Sequence, residues 1–289
     1  MTRLDVRKTY KLYIDGAFPR SESGHSYEVL DGKGRFVANA ALASRKDARD
    51  AVVAARKAFG GWSGRTAYNR AQILYRVAEI MEDRRPQFVD AVARAEGIGD
   101  GPAGKVVDAS IDRLVWYAGW ADKITQVLGN ANPVAGPFFN LSTPEPTGVV
   151  AVLAPQGSSL LGLVSTVAPV IVTGNTAVVV SSYARPLPAV TFSEVLATSD
   201  VPGGVVNILT GDAATVGPWL AGHMDVNAID LGGVAGRPAL ATELEVAAAD
   251  NLKRVRRAPA AEPDWTDEPD LGAMTDFLET KTVWHPIGL

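Results

Sequence analysis

The sequence predicts an α/β protein: a parallel sheet with crossover helices, set behind an N-terminal helical layer. Short apolar runs at Val149–Leu153, Ala177–Val180, Val205–Leu209 and Ala228–Leu231 alternate with helix-compatible segments. Their β-branched content and shortness favour buried parallel strands joined by crossovers over buried helix. Upstream of Thr147 the apolar residues recur instead at helical spacing. An apolar fraction of 47% against a charged fraction of 21% is that of a folded globular chain.

Residues 11 to 40 read as short strands and turns, with Asp15-Gly16 and Asp31-Gly32 as turn signals. Ser44 with Asp47 three residues on marks a capped helix start. Ala48, Ala51, Val52, Ala55, Ala58 and Phe59 then keep one apolar stripe, which ends at Gly60-Gly61. Leu74, Val77, Ala78 and Met81 make a second stripe, and Phe88, Val92 and Ala95 a third. Ile111, Leu114, Val115, Ala118 and Ala121 make a fourth, with Trp116 and Trp120 one turn apart and read as core packing rather than a cofactor stack. The four strand runs follow from Thr147, with no convincing internal repeat.

Beyond Val255 the pattern collapses. Residues 256–270, rich in Ala, Pro and acids, read as a linker or a surface-hugging loop. Lys253, Arg254, Arg256 and Arg257 form a basic knot ahead of five acids from Glu262 to Asp270. It is read as solvated and self-compensating rather than as a phosphate site. A short helix around Leu271–Leu278 and a strand at Glu279–Trp284 close the chain. In that strand Thr280, Thr282 and Trp284 alternate with Glu279, Lys281 and Val283.

The chain's 289 residues suffice for one or two domains with a proper core. A net charge of −4 argues against a nucleic-acid partner and against an anionic membrane surface. The chain has no cysteine, which removes disulfides, a thiolate nucleophile and cysteine metal sites together. Met1 to Lys11 has no apolar signal-peptide core. Leu160–Val172 is the most apolar stretch, but it is too short to span a membrane and is interrupted by Ser165, Thr166 and Pro169. The expectation is a soluble, cytoplasmic protein.

A series of motifs runs through the middle of the chain. Ala118-Gly119-Trp120-Ala121-Asp122-Lys123 precedes Glu145-Pro146-Thr147-Gly148-Val149-Val150. Pro169, Gly174-Asn175-Thr176, Pro186-Leu187, Pro202-Gly203-Gly204-Val205-Val206-Asn207, Thr210-Gly211 and His223-Met224-Asp225-Val226 follow. In that order and spacing they resemble the cofactor-binding half of the aldehyde dehydrogenase superfamily, with no gap from Pro155 to Val255. The resemblance implies a Rossmann-like parallel sheet of the aldehyde dehydrogenase type with an N-terminal helical layer. It also implies a small β oligomerisation element that combines Phe138–Thr143 with Glu279–Trp284. Residues 1–255 would form the cofactor-binding domain, with oligomerisation strands near 130–145. Residues 256–270 would be a linker in place of the catalytic domain, and 271–289 a C-terminal oligomerisation segment.

The resemblance also locates altered site positions. The family's Pro-Trp-Asn-Phe-Pro turn stands here as Pro155-Gln156-Gly157-Ser158-Ser159, so Gly157 replaces the oxyanion-donating asparagine. The ribose-gripping lysine falls at Val180, the acid that shares its task at Tyr183, and the serine beside the pyrophosphate at Val234, after Gly233. Asn251-Leu252-Lys253-Arg254-Val255 resembles the lead-in to the Glu-Leu-Gly-Gly motif, whose general-base glutamate falls on Ala258. The expectation is no catalytic residue and a degraded cofactor pocket at Gln156, Gly157, Val180, Tyr183, Gly233 and Val234, with no cofactor bound.

Ser158, Ser159, Ser181 and Ser182 lack a nearby histidine base and are read as capping hydroxyls. Gly232-Gly233 with Gly236 is a poor phosphate-loop fingerprint without the first-strand context. No His or carboxylate pair has metal-ligand spacing, so no metal is expected.

The resemblance resumes at Phe277–Trp284, the family's C-terminal oligomerisation strand, after a gap where the catalytic domain would stand. Retention of that strand points to assembly. The expected function is a non-catalytic, inactive-alone subunit that assembles with itself or with a full-length active aldehyde dehydrogenase. Phe277, Glu279, Lys281, Val283 and Trp284 would carry the contact. The alternatives are an NAD(P)-dependent oxidoreductase or nucleotide-binding module of the same family, in which case NAD(P) is the cofactor, and a decayed remnant.

Overall fold

The computed structural model describes residues 7–288 and is an α/β structure. The reading of Met1–Lys11 therefore falls largely on residues 1–6, outside the described residues. The chain opens with a three-stranded sheet. β1 (Thr9–Tyr10) lies parallel to β3 (Phe36–Ala41), and β2 (Ser26–Leu30) is antiparallel to β3.

The capping box at Ser44 forms as its residue types require: Asp47 N donates to Ser44 Oγ (3.2 Å) and Ser44 N to Asp47 Oδ2 (2.8 Å). Helix α1 (Arg45–Ser63) runs past Gly60-Gly61, where the glycines predict an end. Each helical glycine costs about 1 kcal/mol against alanine. Burying the Trp62 indole contributes a comparable or larger amount, roughly 2–3 kcal/mol, and its Nε1 donates to Ile171 O at 2.8 Å. Burial of Trp62 carries the helix one turn further. α2 (Ala67–Asp83), α3 (Arg85–Glu96) and α4 (Asp100–Trp120) place the other apolar stripes inward, except that Val115 of the fourth stripe turns out to solvent, and Trp116 packs against Trp120 at 5.7 Å beside the core. α5 (Ile124–Leu128), β4 (Asn130–Asn132) and β5 (Phe138–Pro146) lead into the main sheet.

Beyond them come β6 (Val149–Leu153), α6 (Leu161–Val172), β7 (Thr176–Val180), α7 (Leu187–Thr198), β8 (Val206–Leu209), α8 (Ala213–Gly222), β9 (Ala228–Asp230), α9 (Pro238–Ala249) and β10 (Arg254–Arg256). All four ladders are parallel, in the order β10-β9-β6-β7-β8. Alternation along the strands divides two cores. Val150, Val152, Ala177 and Val179 face α6, α7 and the α2–α4 layer, while Val149, Ala151, Leu153, Val178 and Val180 face α1, α8 and α9. The free edge of β8 is covered by the N-terminal segment through Tyr13 N to Ile208 O (2.9 Å) and Ile208 N to Tyr13 O (2.7 Å).

The segment 257–271 crosses the surface to α10 (Gly272–Thr275) and β11 (Leu278–Pro286). Buried Asn175 ties this tail to the main sheet. Its side chain accepts from Gly148 N (2.8 Å) and donates to Phe277 O and Thr173 Oγ1 (3.0 Å each). No helix among the described residues is long and apolar enough to cross a membrane.

Candidate functional site

The chain enters the main sheet at β6 and adds β7 and β8 on one side, then β9 and β10 on the other. The connections reverse direction between β6 and β9, and the crevice beyond the carboxyl ends of such a pair is where α/β sheets bind ligands. Its two lips are the turn after β6, residues 155–159, and the turn after β9, residues 231–237.

The first turn is held on all sides. Gln156 Nε2 donates to Ala154 O (2.8 Å), and its Oε1 accepts from Tyr183 N (3.0 Å). Gly157 N and Ser158 N donate to the two carboxylate oxygens of Glu262, each at 2.8 Å. Ser159 donates through N (2.8 Å) and Oγ (2.7 Å) to Glu96 Oε1. Arg185 donates to Gly157 O. Three successive amides thus point at carboxylates, a backbone concavity suited to anions. Glu262 and Glu96 were not foreseen. They lie 104 and 63 residues from the serine amides they accept, and nothing in local spacing could have named them.

The second lip is fixed by close approach. Gly233 lies so near β6 that a Cβ there would sit 2.1 Å from Ala154 O, and Val234 is buried beside it. Asp230 is fully buried; its Oδ1 accepts from Gly232 N (2.8 Å) and its Oδ2 from Arg256 Nη1 (3.2 Å). Burial pushes its carboxyl above the usual range, with Arg256 pulling the other way.

Val180 is buried against α1 and α8, with no polar atom to offer. Tyr183 stacks on Tyr27 at 4.6 Å. Ser158 Oγ caps α6 through Gly162 N (2.9 Å), and Ser182 Oγ accepts from Arg185 N (3.2 Å), both as the capping reading has it. Ser159 instead serves Glu96, and Ser181 departs from the reading altogether. Its Oγ is buried beyond the end of β7 with no hydrogen-bond partner among the described residues.

The basic knot is self-compensating but not uniformly solvated. Arg256 pairs with Asp230 and Asp276 (3.2 Å each), Arg254 with Glu279 (3.8 Å), and Arg257 with Glu245 (3.7 Å), so the acids of 262–270 are not its partners. Lys253 is buried, donating to His223 O (2.7 Å) and Asn251 Oδ1 (2.5 Å). Burial lowers its pKa from 10.5 to about 8. No group of three metal-ligating side chains occurs among the described residues.

A second region stands apart. β11 pairs antiparallel with β5 over nine residues, Leu278 opposite Pro146 through Pro286 opposite Phe138, and β4 pairs on the far side of β5. The tail folds onto its own chain, and β11 is left as an edge strand. Glu279, Lys281, Val283 and Trp284 are exposed, whereas Phe277 is buried in this chain's own core. That takes Phe277 out of the set expected at an interface: Asn175 holds its carbonyl and the ring packs inward.

Residues 19–257 match the family model described as "Aldehyde dehydrogenase family". The chain belongs to the aldehyde dehydrogenase family. It is 31% identical over 255 residues to the putative aldehyde dehydrogenase DhaS of Bacillus subtilis (strain 168), covering 86% of this chain and 50% of DhaS. Among solved structures it superposes on PnpE in complex with nicotinamide adenine dinucleotide at a TM-score of 0.81, with 30% identity over 86% of this chain and 50% of that one. The NAD+ complex of a Bacillus cereus aldehyde dehydrogenase gives a TM-score of 0.80, with 25% identity and the same coverage. The chain spans about half the length of these relatives.

These neighbours overturn the expectation that no cofactor belongs here. Both solved relatives hold NAD, and this chain retains the cofactor-binding half that matches them. The residues present fit the anionic part of such a ligand. Two crevice amides already carry a carboxylate, and Ser181 keeps an unpaired buried hydroxyl. The replaced side chains at Val180 and Tyr183 show in residue type, whereas the backbone donors of the crevice do not.

Proposed function

We propose that this chain is a non-catalytic subunit of the aldehyde dehydrogenase family that assembles through its β4-β5-β11 sheet. The partner is a second copy or a full-length, cysteine-bearing family member. One observation carries the reading: a nine-residue strand, exposed beyond its first residue and bonded along one side only, on a chain with no cysteine. An edge of that length and exposure is a template for another strand. Val283, Phe139 and Leu141 give its face an apolar component. A chain without cysteine, with Ala258 at the base position and Gly157 at the oxyanion position, supports inactivity alone, because such groups act as a unit.

The purified chain is expected to show no aldehyde oxidation with NAD or NADP and to copurify with a cysteine-bearing relative when the two are co-expressed. Turnover above a chain-free control, or a chain that stays monomeric and captures no relative, overturns the proposal.

A second reading, compatible with the first, is favoured by the crevice amides: we propose NAD(P) as the crevice ligand. Gly157 and Ser158 would donate to an anionic group. If bound there, a dinucleotide would supply the hydride acceptor for a substrate oxidised within the assembly. Binding only to the folded chain would raise its melting temperature with ligand concentration. A melting temperature unchanged at millimolar NAD and NADP would sink this second reading.

A further inference from the structure

We propose that the segment 257–264 is a strap that closes the crevice from within the chain, by placing the Glu262 carboxylate on the two amides an anionic nucleotide group would use. The inference rests on the dinucleotide reading above and adds a regulation that the family likeness does not supply.

The path of the segment comes first. It leaves the sheet at Arg256, whose carbonyl accepts from Leu231 N (3.0 Å) on the β9 side of the crevice. Ala260 O lies 3.9 Å from where a Cβ on Gly236 would stand, still on that lip. Two residues later Glu262 is on the opposite lip, with its carboxylate on Gly157 N and Ser158 N. The chain therefore crosses the switch point between residues 260 and 262. A Cβ on Gly157 would come within 3.1 Å of that carboxylate, so the glycine leaves room for the strap to sit down on the turn.

The attachment is of a kind that can be exchanged. At one end Arg256 is fixed by Asp230 and Asp276. At the other, Arg113 is 8% exposed and donates to Ser165 Oγ (3.1 Å), Trp265 O (3.0 Å) and Asp267 O (2.7 Å). Trp265 Nε1 donates to Glu262 Oε1 (3.0 Å), steering the carboxylate. Between these anchors no residue of 257–264 belongs to the buried core, and only Ala258 packs against it. Hydrogen bonds to exposed groups trade readily with water or ligand, and weakly packed segments open at low cost. A nucleotide phosphate and the Glu262 carboxylate would claim the same donors and repel each other, so their occupancy is mutually exclusive. The apparent affinity for NAD is then the intrinsic affinity scaled by the fraction of molecules with the strap lifted.

The test is calorimetric titration of NAD into the full chain and into the Glu262→Ala and Glu268→Ala variants. Glu268 is an exposed acid of the same linker with no ion-pair partner among the described residues. Glu262→Ala is expected to bind roughly tenfold more tightly than the unmodified chain, and Glu268→Ala within about twofold of it. Hydrogen exchange on the unmodified chain reads the same event without any substitution: saturating NAD should accelerate exchange across 257–264. Equal and measurable affinity in the unmodified chain and Glu262→Ala, or an NAD-induced slowing across 257–264, overturns the strap and leaves the dinucleotide reading standing. Absence of binding in both overturns the dinucleotide reading and the strap with it.

Discussion

The main sheet and the β4-β5-β11 sheet place similar ladders in opposite settings. Every residue of β6, β7, β8 and β9 is buried, because crossover helices and the N-terminal layer cover both faces. In β11 only Leu278 is buried, and the remaining eight residues are exposed. β5 buries Asn140 alone. The first sheet finishes its own packing. The second is regular and fully registered without a core of its own, so its stability must come from hydrogen bonding, from anchorage at Phe277, or from a surface the single chain does not supply. Regular structure and self-sufficient structure are different properties, and this chain separates them within one tail.

The strongest way to break that contrast is at the junction. Phe277 is 1% exposed and seven residues before Trp284, which is 57% exposed. Phe277→Ala should cost about 3–5 kcal/mol of unfolding free energy, the usual loss for a buried ring, read as a lower urea midpoint. A loss below about 1 kcal/mol would mean that the tail is not part of the core. Asn175→Ala comes next. It strands the Gly148 N–H and the Phe277 carbonyl inside the fold, for an expected cost of about 2–3 kcal/mol. Asn175→Asp should be at least as damaging, since the carboxylate cannot donate to Phe277 O.

The contrast also marks what the sequence made legible. The stripe from Leu74 to Met81 is legible because burial on one face leaves a period, and the strand runs at 149–153 and 228–231 because burial on both faces leaves a short continuous apolar run. The pairing of β5 with the tail came from resemblance, since alternation in 279–284 says strand but names no partner. β10 was read only as a lead-in, since three residues at an edge leave no apolar period. At the crevice the visible changes were side chains, as at Gly157 and Val180. The donors that matter there are main-chain amides, and the acids on them arrive from distant sequence. The same blindness applied to Lys253, which looked like surface charge and is buried.

Lys253 sharpens the contrast through pH. Its folded pKa of about 8 lies below the ordinary 10.5, so between those values the unfolded chain binds more protons than the folded one. By linkage, stability attributable to this group rises with pH across that window. The penalty is present in full below pH 8 and fades toward 10.5. Unfolding titrations at pH 7.5 and pH 10 should show a gain for the unmodified chain relative to Lys253→Met, whose difference lacks that proton. A parallel pair of curves would show that Lys253 reaches water. In the outer sheet, Lys281 and Glu145 pair at 3.2 Å with both side chains exposed, and Lys281→Ala should change stability by no more than about 0.5 kcal/mol.

Trp284→Ala has a small effect on the single chain and is the most informative variant about the second sheet. Within the chain the indole meets Phe138 edge-on at 5.8 Å, a contact contributing about 0.5–1.5 kcal/mol. An exposed tryptophan on an edge strand is also the kind of side chain that anchors interfaces. If β11 adds to a partner's sheet, truncation should cost the assembly at least about 2 kcal/mol, a roughly thirtyfold weaker association. Sedimentation velocity across a concentration series reads the association, and urea unfolding at low concentration reads the monomer. A variant with a weakened monomer and unchanged association would make the tail a cap for β5 and nothing more. A variant with a monomer loss near 1 kcal/mol and collapsed association would make the exposed sheet half of an interface. The two measurements have to be made on the same variant, because only their ratio distinguishes a strand that completes its own fold from one that waits for another chain.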